Sequence, residues 1–172
     1  MERPIALTGG RVLTPAGDLT PATLLIAGEE IGAVAAPGEA LPPDVETIDV
    51  SGCIVAPGFI DSHVHGGMGY NFMHGTREAF AGISAHLARG GTTACLATTT
   101  SAPLEDIVSA LANIAEASRA PQPGQVEILG AHLEGPFINR EKAGSQALER
   151  VRPPAASEVQ ALLDAAGGAL RV

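Results

Sequence analysis

The sequence predicts an α/β protein in which a small β module, residues 1–57, precedes strands that alternate with helices, residues 58–172. Three observations carry this reading. Up to Pro57, short β-type runs are divided by Gly, Pro and acidic residues and show no helical period. Past Gly58, apolar residues recur at strand and helix spacing in turn. The stretch after the module is long enough for three to four β/α units of about 31 residues, which fits either a small open sheet or the first half of an eight-unit barrel. The chain stops on Arg171-Val172, where a fourth strand starts and no helix caps it, and this favours a truncated half-barrel.

In the module, the β-type runs are Arg11 to Thr14, Thr23 to Ala27, Ile31 to Ala35 and Glu46 to Val50, with a turn at Gly28-Glu29-Glu30 and a Pro-rich surface loop before the last. Phe59 to His65 opens the second region as a strand. Thr76 to Arg89 is read as a helix from Phe80, Ile83 and Leu87, ending at Gly90-Gly91. Thr92 to Thr98 is the next strand, and Pro103 opens a second helix at its first position, with a stripe of Leu104, Ile107, Val108, Leu111 and Ile114. Val126 to Leu133 follows as a strand. Ser157 is expected to N-cap a third helix reaching about Ala166, and Leu170 to Val172 to begin a fourth strand.

Composition narrows the function. At 45% hydrophobic and 17% charged residues, with mean hydropathy +0.21, the chain can fill a core, which excludes wholesale disorder. Ten Lys+Arg against 19 Asp+Glu leave it at −9, which excludes binding that works by neutralising nucleic-acid phosphates. No basic leader and no long apolar run occur, so a cytoplasmic protein without a membrane partner is expected. Cys53 and Cys95 form neither a C-x-x-C motif nor a disulfide framework and read as reduced core residues. Phosphate-loop, serine-hydrolase and dinucleotide motifs do not occur.

The chemistry concentrates in two motifs. In the first, PGFIDSHVHGG from Pro57 to Gly67, period-two alternation places Asp61, His63 and His65 on one face of a strand. Two imidazoles about 6.6 Å apart along a strand can converge on one metal ion, although they can equally pair with loop carbonyls. Asp61, one step deeper, either orients a ligand or caps backbone amides. In the second, GAHLEGP from Gly130 to Pro136, His132 and Glu134 share a face, and the Gly-Pro ends the strand at the rim where parallel sheets assemble sites. Glu134 is thus either a third ligand or a rim residue. Tyr70, Phe72 and Phe137 fall near the same rim; Phe59 is expected in the core. Thr98 to Ser101 either adds hydroxyls to the rim or caps the helix after it. His74 could meet a substrate, and His86 reads as a helix-surface residue.

These residues resemble a known family. Gly10 to Thr14 and Ile26 to Ile31, leading through Asp49-Val50-Ser51-Gly52 into PGFIDSHVHGG, are similar to the start of the metal-dependent amidohydrolases, which pair a β-sandwich with a (β/α)8 barrel. Within that group, GTTACLATTTS, GAHLEGPFIN and Lys142-Ala143-Gly144 resemble the N-acetylglucosamine-6-phosphate deacetylases, over essentially all 172 residues. The H-L-E-G-P run with its downstream K-x-G is the selective part.

The resemblance implies a β-sandwich portion at 1–57 and the first three to four barrel units at 58–172. It implies a divalent metal, zinc or another first-row ion such as iron, held by His63, His65 and Glu134, with Asp61 and His132 supporting the ligands. Gly144, Ser145 and Gln146 would line the pocket for a phosphorylated N-acetyl amino sugar. Gln146 stands where the family commonly has histidine. The implied reaction is amide hydrolysis to glucosamine 6-phosphate and acetate, with metal-activated water as nucleophile and an aspartate as base. That aspartate and further histidine ligands belong to later barrel strands, so the base is expected beyond residue 172 and the isolated segment is expected to be inactive. The complete protein is expected as a homodimer. Two other readings stand beside this one: an amidohydrolase of cyclic amides or amines, and a non-catalytic half-barrel.

Overall fold

The computed structural model describes residues 3–172, which divide at Pro57/Gly58 into two compact units. The first is a five-stranded sheet. β1 (Ile5–Thr14) and β2 (Gly17–Ala27) form an antiparallel hairpin in which Ile5 faces Ile26 and Thr14 faces Gly17. The Thr14 hydroxyl closes the turn, donating to the Gly17 carbonyl at 2.8 Å. β3 (Glu30–Ala35) pairs antiparallel with β2, whereas β4 (Glu46–Asp49) and β5 (Ile54–Val55) run parallel to β1. Val12, Ala22 and Leu24 are buried, with Leu7, Ile26 and Val55 against them. Every residue of β4, and all of β3 except Ala35, is exposed.

The second unit is built on three parallel strands in the order β10-β9-β6: β6 (Phe59–Val64), β9 (Thr92–Thr98) and β10 (Glu127–His132). A minimal hairpin of β7 (Gly66–Gly67) and β8 (Tyr70–Asn71) lies between β6 and the first helix. The helices are α1 (Arg77–Arg89), α2 (Leu104–Arg119) and α3 (Ala156–Ala166). Their inward faces make the core: Ile83 and Leu87 from α1, Ile107, Leu111 and Ile114 from α2, and Leu162 and Ala166 from α3, packed on Cys95, Ala97 and Ala131. Leu170 extends the pattern through a parallel bridge to Ala131. Among the described residues no helix is long and apolar enough to cross a membrane.

Several local expectations change. β1 starts at Ile5 rather than Arg11, because pairing with β2 on one side and β4 on the other organises its first half. The two-residue β5 is too short to read from its pattern. Thr76 caps α1 by accepting the Ala79 N–H, but Pro103 is the cap residue of α2 rather than its first helical residue. Ser157 lies inside the first turn of α3, and Ala155 is the cap residue, with no side-chain hydrogen bond. Cys95 is buried as expected, whereas Cys53 is exposed in a loop. Phe59, expected in the core, and Ile60 are 70% and 67% exposed in this chain, where β6 pairs with β9 alone.

Candidate metal centre

β6 and β10 are not neighbours; each pairs with β9, so roughly two strand spacings, about 10 Å, separate the two motifs. The site therefore spans the C-terminal end of β9, and the side chains must reach inward from both flanks. They do. His65 Nε2 lies 3.0 Å and His63 Nε2 3.8 Å from the same Glu134 oxygen, Oε2. Together His63, His65 and Glu134 offer three donor atoms within 4.8 Å of one another. Four ligands around zinc at about 2.1 Å sit roughly 3.4 Å apart. The 3.0 and 3.8 Å separations from Glu134 bracket that value, and the full set, within 4.8 Å, draws in slightly to hold one first-row ion.

The backbone explains the convergence. Between Asp61 and Val64, β6 spends three steps while β9 spends two, from Cys95 to Ala97. The extra residue is a bulge, and bulges re-aim side chains beside sites. Strict alternation is thereby broken. Asp61 Oδ1 accepts the His63 backbone N–H at 3.1 Å, the amide-capping alternative, rather than contacting an imidazole. His132 braces the bulge from the far side of β9: its Nδ1 is 3.1 Å from the Ser62 carbonyl, and its ring meets that of His63 edge-on at 4.8 Å. Gly66 follows at once with φ 158°, and a Cβ there would come 2.2 Å from the Tyr70 carbonyl. Only glycine lets β7 and β8 close so tightly under His65.

Thr98, one of the hydroxyls expected at the rim, supports the backbone there. Fully buried, it accepts the Val64 N–H at 3.0 Å, between the two histidines, and donates to the Leu96 carbonyl. Its signal is a polar residue closing an otherwise apolar strand. Thr99 and Ser101 are also buried, so the run is packed into the rim rather than offered to solvent, and it does not cap α2.

The remaining candidates fall into two groups. Gly144 and Ser145 are exposed in the loop after the Arg140–Lys142 turn, whereas the Gln146 side chain is 8% exposed and turned onto Thr100 and Ser101. A hollow of about 220 Å³, bordered by Met73, Thr100, Ala102, Asp106 and Ser109, opens just past the end of β9. The aromatics divide; the Phe72 backbone lies beside the site, its N–H donating to the His65 carbonyl at 2.9 Å. Phe59 starts β6 at its opposite end, and Phe72 is buried in the core beside Phe80. The Tyr70 hydroxyl donates to Glu78 at 2.8 Å, and that carboxylate raises the tyrosine pKa above its ordinary value. His74 accepts the Asn71 N–H through Nδ1, and the His86 ring lies over Gly67.

Comparison with known proteins agrees with this architecture. The family model described as "Amidohydrolase family" matches residues 54–172, and the chain belongs to that family. Within it, the chain is similar to deacetylases of amino-sugar phosphates. It is 34% identical to the N-acetylgalactosamine-6-phosphate deacetylase of Escherichia coli O157:H7, over 96% of this chain and 42% of the relative. It is 36% identical to the N-acetylglucosamine-6-phosphate deacetylase of Bacillus subtilis strain 168, over 69% and 31%. A variant N-acetyl-D-glucosamine-6-phosphate deacetylase from Mycobacterium smegmatis, solved with N-acetyl-D-glucosamine 6-phosphate, superposes with a TM-score of 0.85 at 33% identity, covering 99% of this chain and 42% of that one. The chain thus spans less than half the length of these relatives.

Proposed function

We propose that this chain supplies the first metal-binding strands of a cytoplasmic deacetylase of N-acetylated hexosamine 6-phosphates, a hydrolase that releases acetate and the free amino sugar phosphate. The observation that carries the reading is the meeting of His63, His65 and Glu134 at the ends of two separate strands. Residues 58–172 are then the opening units of a (β/α)8 barrel, and residues 1–57 belong to a β-sandwich.

In this reading His63 and His65 present Nε2, and Glu134 presents Oε2, to a divalent ion, with zinc favoured by the nitrogen-rich donor set. Such an ion, when bound, polarises an amide carbonyl and brings the pKa of water toward neutrality. His132 and Ser62 hold the bulge that aims His63, and Asp61 fixes the backbone beneath it. Gly144 and Ser145 offer exposed backbone to the sugar. The likeness supports N-acetylglucosamine 6-phosphate as substrate. The Escherichia coli relative, which matches 96% of this chain, favours its C4 epimer as a second reading.

The test is acetate release from both sugar phosphates by the complete protein that carries these residues. Turnover of either, lost in Glu134→Gln, supports the proposal and selects the epimer. Turnover of neither, with a cyclic amide hydrolysed instead, moves the protein to another branch of the family.

A further inference from the structure

We infer that Gln146 is a positioning residue whose buried carboxamide oxygen locks the end of β9 and, through it, the backbone that carries His63, His65 and Glu134. The inference rests on reading those three as the metal site. Gln146 Oε1 accepts from the Thr100 hydroxyl at 2.9 Å and from the Ser101 N–H at 2.7 Å. An amide oxygen has two lone pairs and satisfies both donors; an imidazole nitrogen has one and satisfies a single donor. That chemical difference gives glutamine a task at this position that a histidine would not perform.

The locked run touches both ligand-bearing strands at residues that adjoin the donors. Thr98 accepts the Val64 N–H, between His63 and His65. The Thr99 N–H donates to the His132 carbonyl at 3.0 Å, two residues before Glu134. Ser101 Oγ packs against Gly135, the residue after Glu134, so closely that a Cβ there would come 2.1 Å from it. Gly135 also has φ 74°, a conformation that favours glycine. Four consecutive residues therefore link the two halves of the site, and Gln146 pins the end that no strand holds. Without the acceptor, the buried Ser101 N–H and the Thr100 hydroxyl lose their partner, and relaxation of the run reaches Val64 and Gly135.

Two variants separate positioning from bulk stability. Gln146→Leu keeps similar volume and removes the acceptor, whereas Gln146→Glu retains an oxygen with two lone pairs. The probes, applied to the complete protein that carries these residues, are Co(II) binding, read by titration and by the visible ligand-field spectrum, and amide hydrogen exchange at Val64. Gln146→Leu is expected to weaken Co(II) about tenfold, the range for residues that orient metal ligands, to change the spectrum, and to speed Val64 exchange relative to Leu111 in α2. Gln146→Glu is expected to stay within about threefold of the unaltered chain in both readouts. If Gln146→Leu does not fold, Gln146→Asn, which withdraws the oxygen by one methylene, is read the same way. A Gln146→Leu chain with unchanged spectrum, affinity and relative Val64 exchange overturns the inference even if its melting temperature drops, and so does failure of Gln146→Glu to rescue. An unaltered chain that takes up no Co(II) refutes the metal reading, while Val64 exchange still decides the role of Gln146.

Discussion

β9 and β6 are neighbours in one sheet, yet they divide its labour. From Ala94 to Thr98, β9 is buried throughout, whereas β6 exposes Phe59 and Ile60 on the edge and bulges before Val64. β9 fills the core with Cys95 and Ala97; the end of β6 turns two histidines toward a carboxylate two strands away. Stability and chemistry are thus carried by different strands of a single sheet, and substitutions should separate them.

The largest effect is expected where α2 enters the core, packed on β10 and α3. Leu111 is fully buried, and Leu111→Ala should cost about 2–5 kcal/mol of folding stability, with Ile60→Ala costing less than about 0.5 kcal/mol. Urea unfolding of both variants measures the contrast, and equal losses would abolish it. Glu134→Gln comes next. It keeps the shape but removes the anionic donor, and should weaken zinc binding on the order of 100-fold while shifting the unfolding midpoint little. Calorimetric titration with zinc, beside a thermal melt, separates the two quantities.

A smaller effect follows from His132, which braces the bulge through the Ser62 carbonyl and packs on the His63 ring. His132→Ala should weaken zinc about tenfold, less than loss of a ligand, by the same titration. The smallest distinguishes the cysteines. Burial, with the nearby Asp61 charge second, pushes the Cys95 thiol up to about 12, while Cys53 is exposed. A disulfide reagent at pH 8 should titrate one thiol in the native chain and both after unfolding. Because the folded pKa lies above the unfolded one, the stabilisation from Cys95 is complete below the unfolded thiol pKa and declines as pH rises toward about 12. Cys95→Ala should flatten that alkaline decline in a pH series of melts.

The same division explains what could be read from residue order. The bounds of β9 and the apolar stripe of α2 were legible because buried, regular elements repeat their period without interruption. The residues that meet, His63, His65 and Glu134, were legible too, as residue types at strand ends. The bulge was not, because an inserted residue leaves the composition of the motif unchanged while it breaks the alternation and settles Asp61 on the His63 amide, one of its two expected roles. Phe59 is exposed because, within these residues, β6 is paired on one side only. Thr98 and Gln146 escaped notice as supports because their work is done by hydrogen bonds to backbone and hydroxyl groups distant in sequence. The distinction between a cap and a first helical residue at Pro103, or between Ala155 and Ser157, turns on single-residue dihedral geometry.

The central claim is that β6 and β10 deliver His63, His65 and Glu134 to one metal ion. Equilibrium dialysis against zinc is decisive, comparing the complete protein that carries these residues with the same protein bearing His63→Ala, His65→Ala and Glu134→Ala together. The account predicts saturable uptake of about one ion per chain, absent from the triple variant, with both chains folded by circular dichroism. Equal uptake by the two folded chains, or none by either, would contradict it.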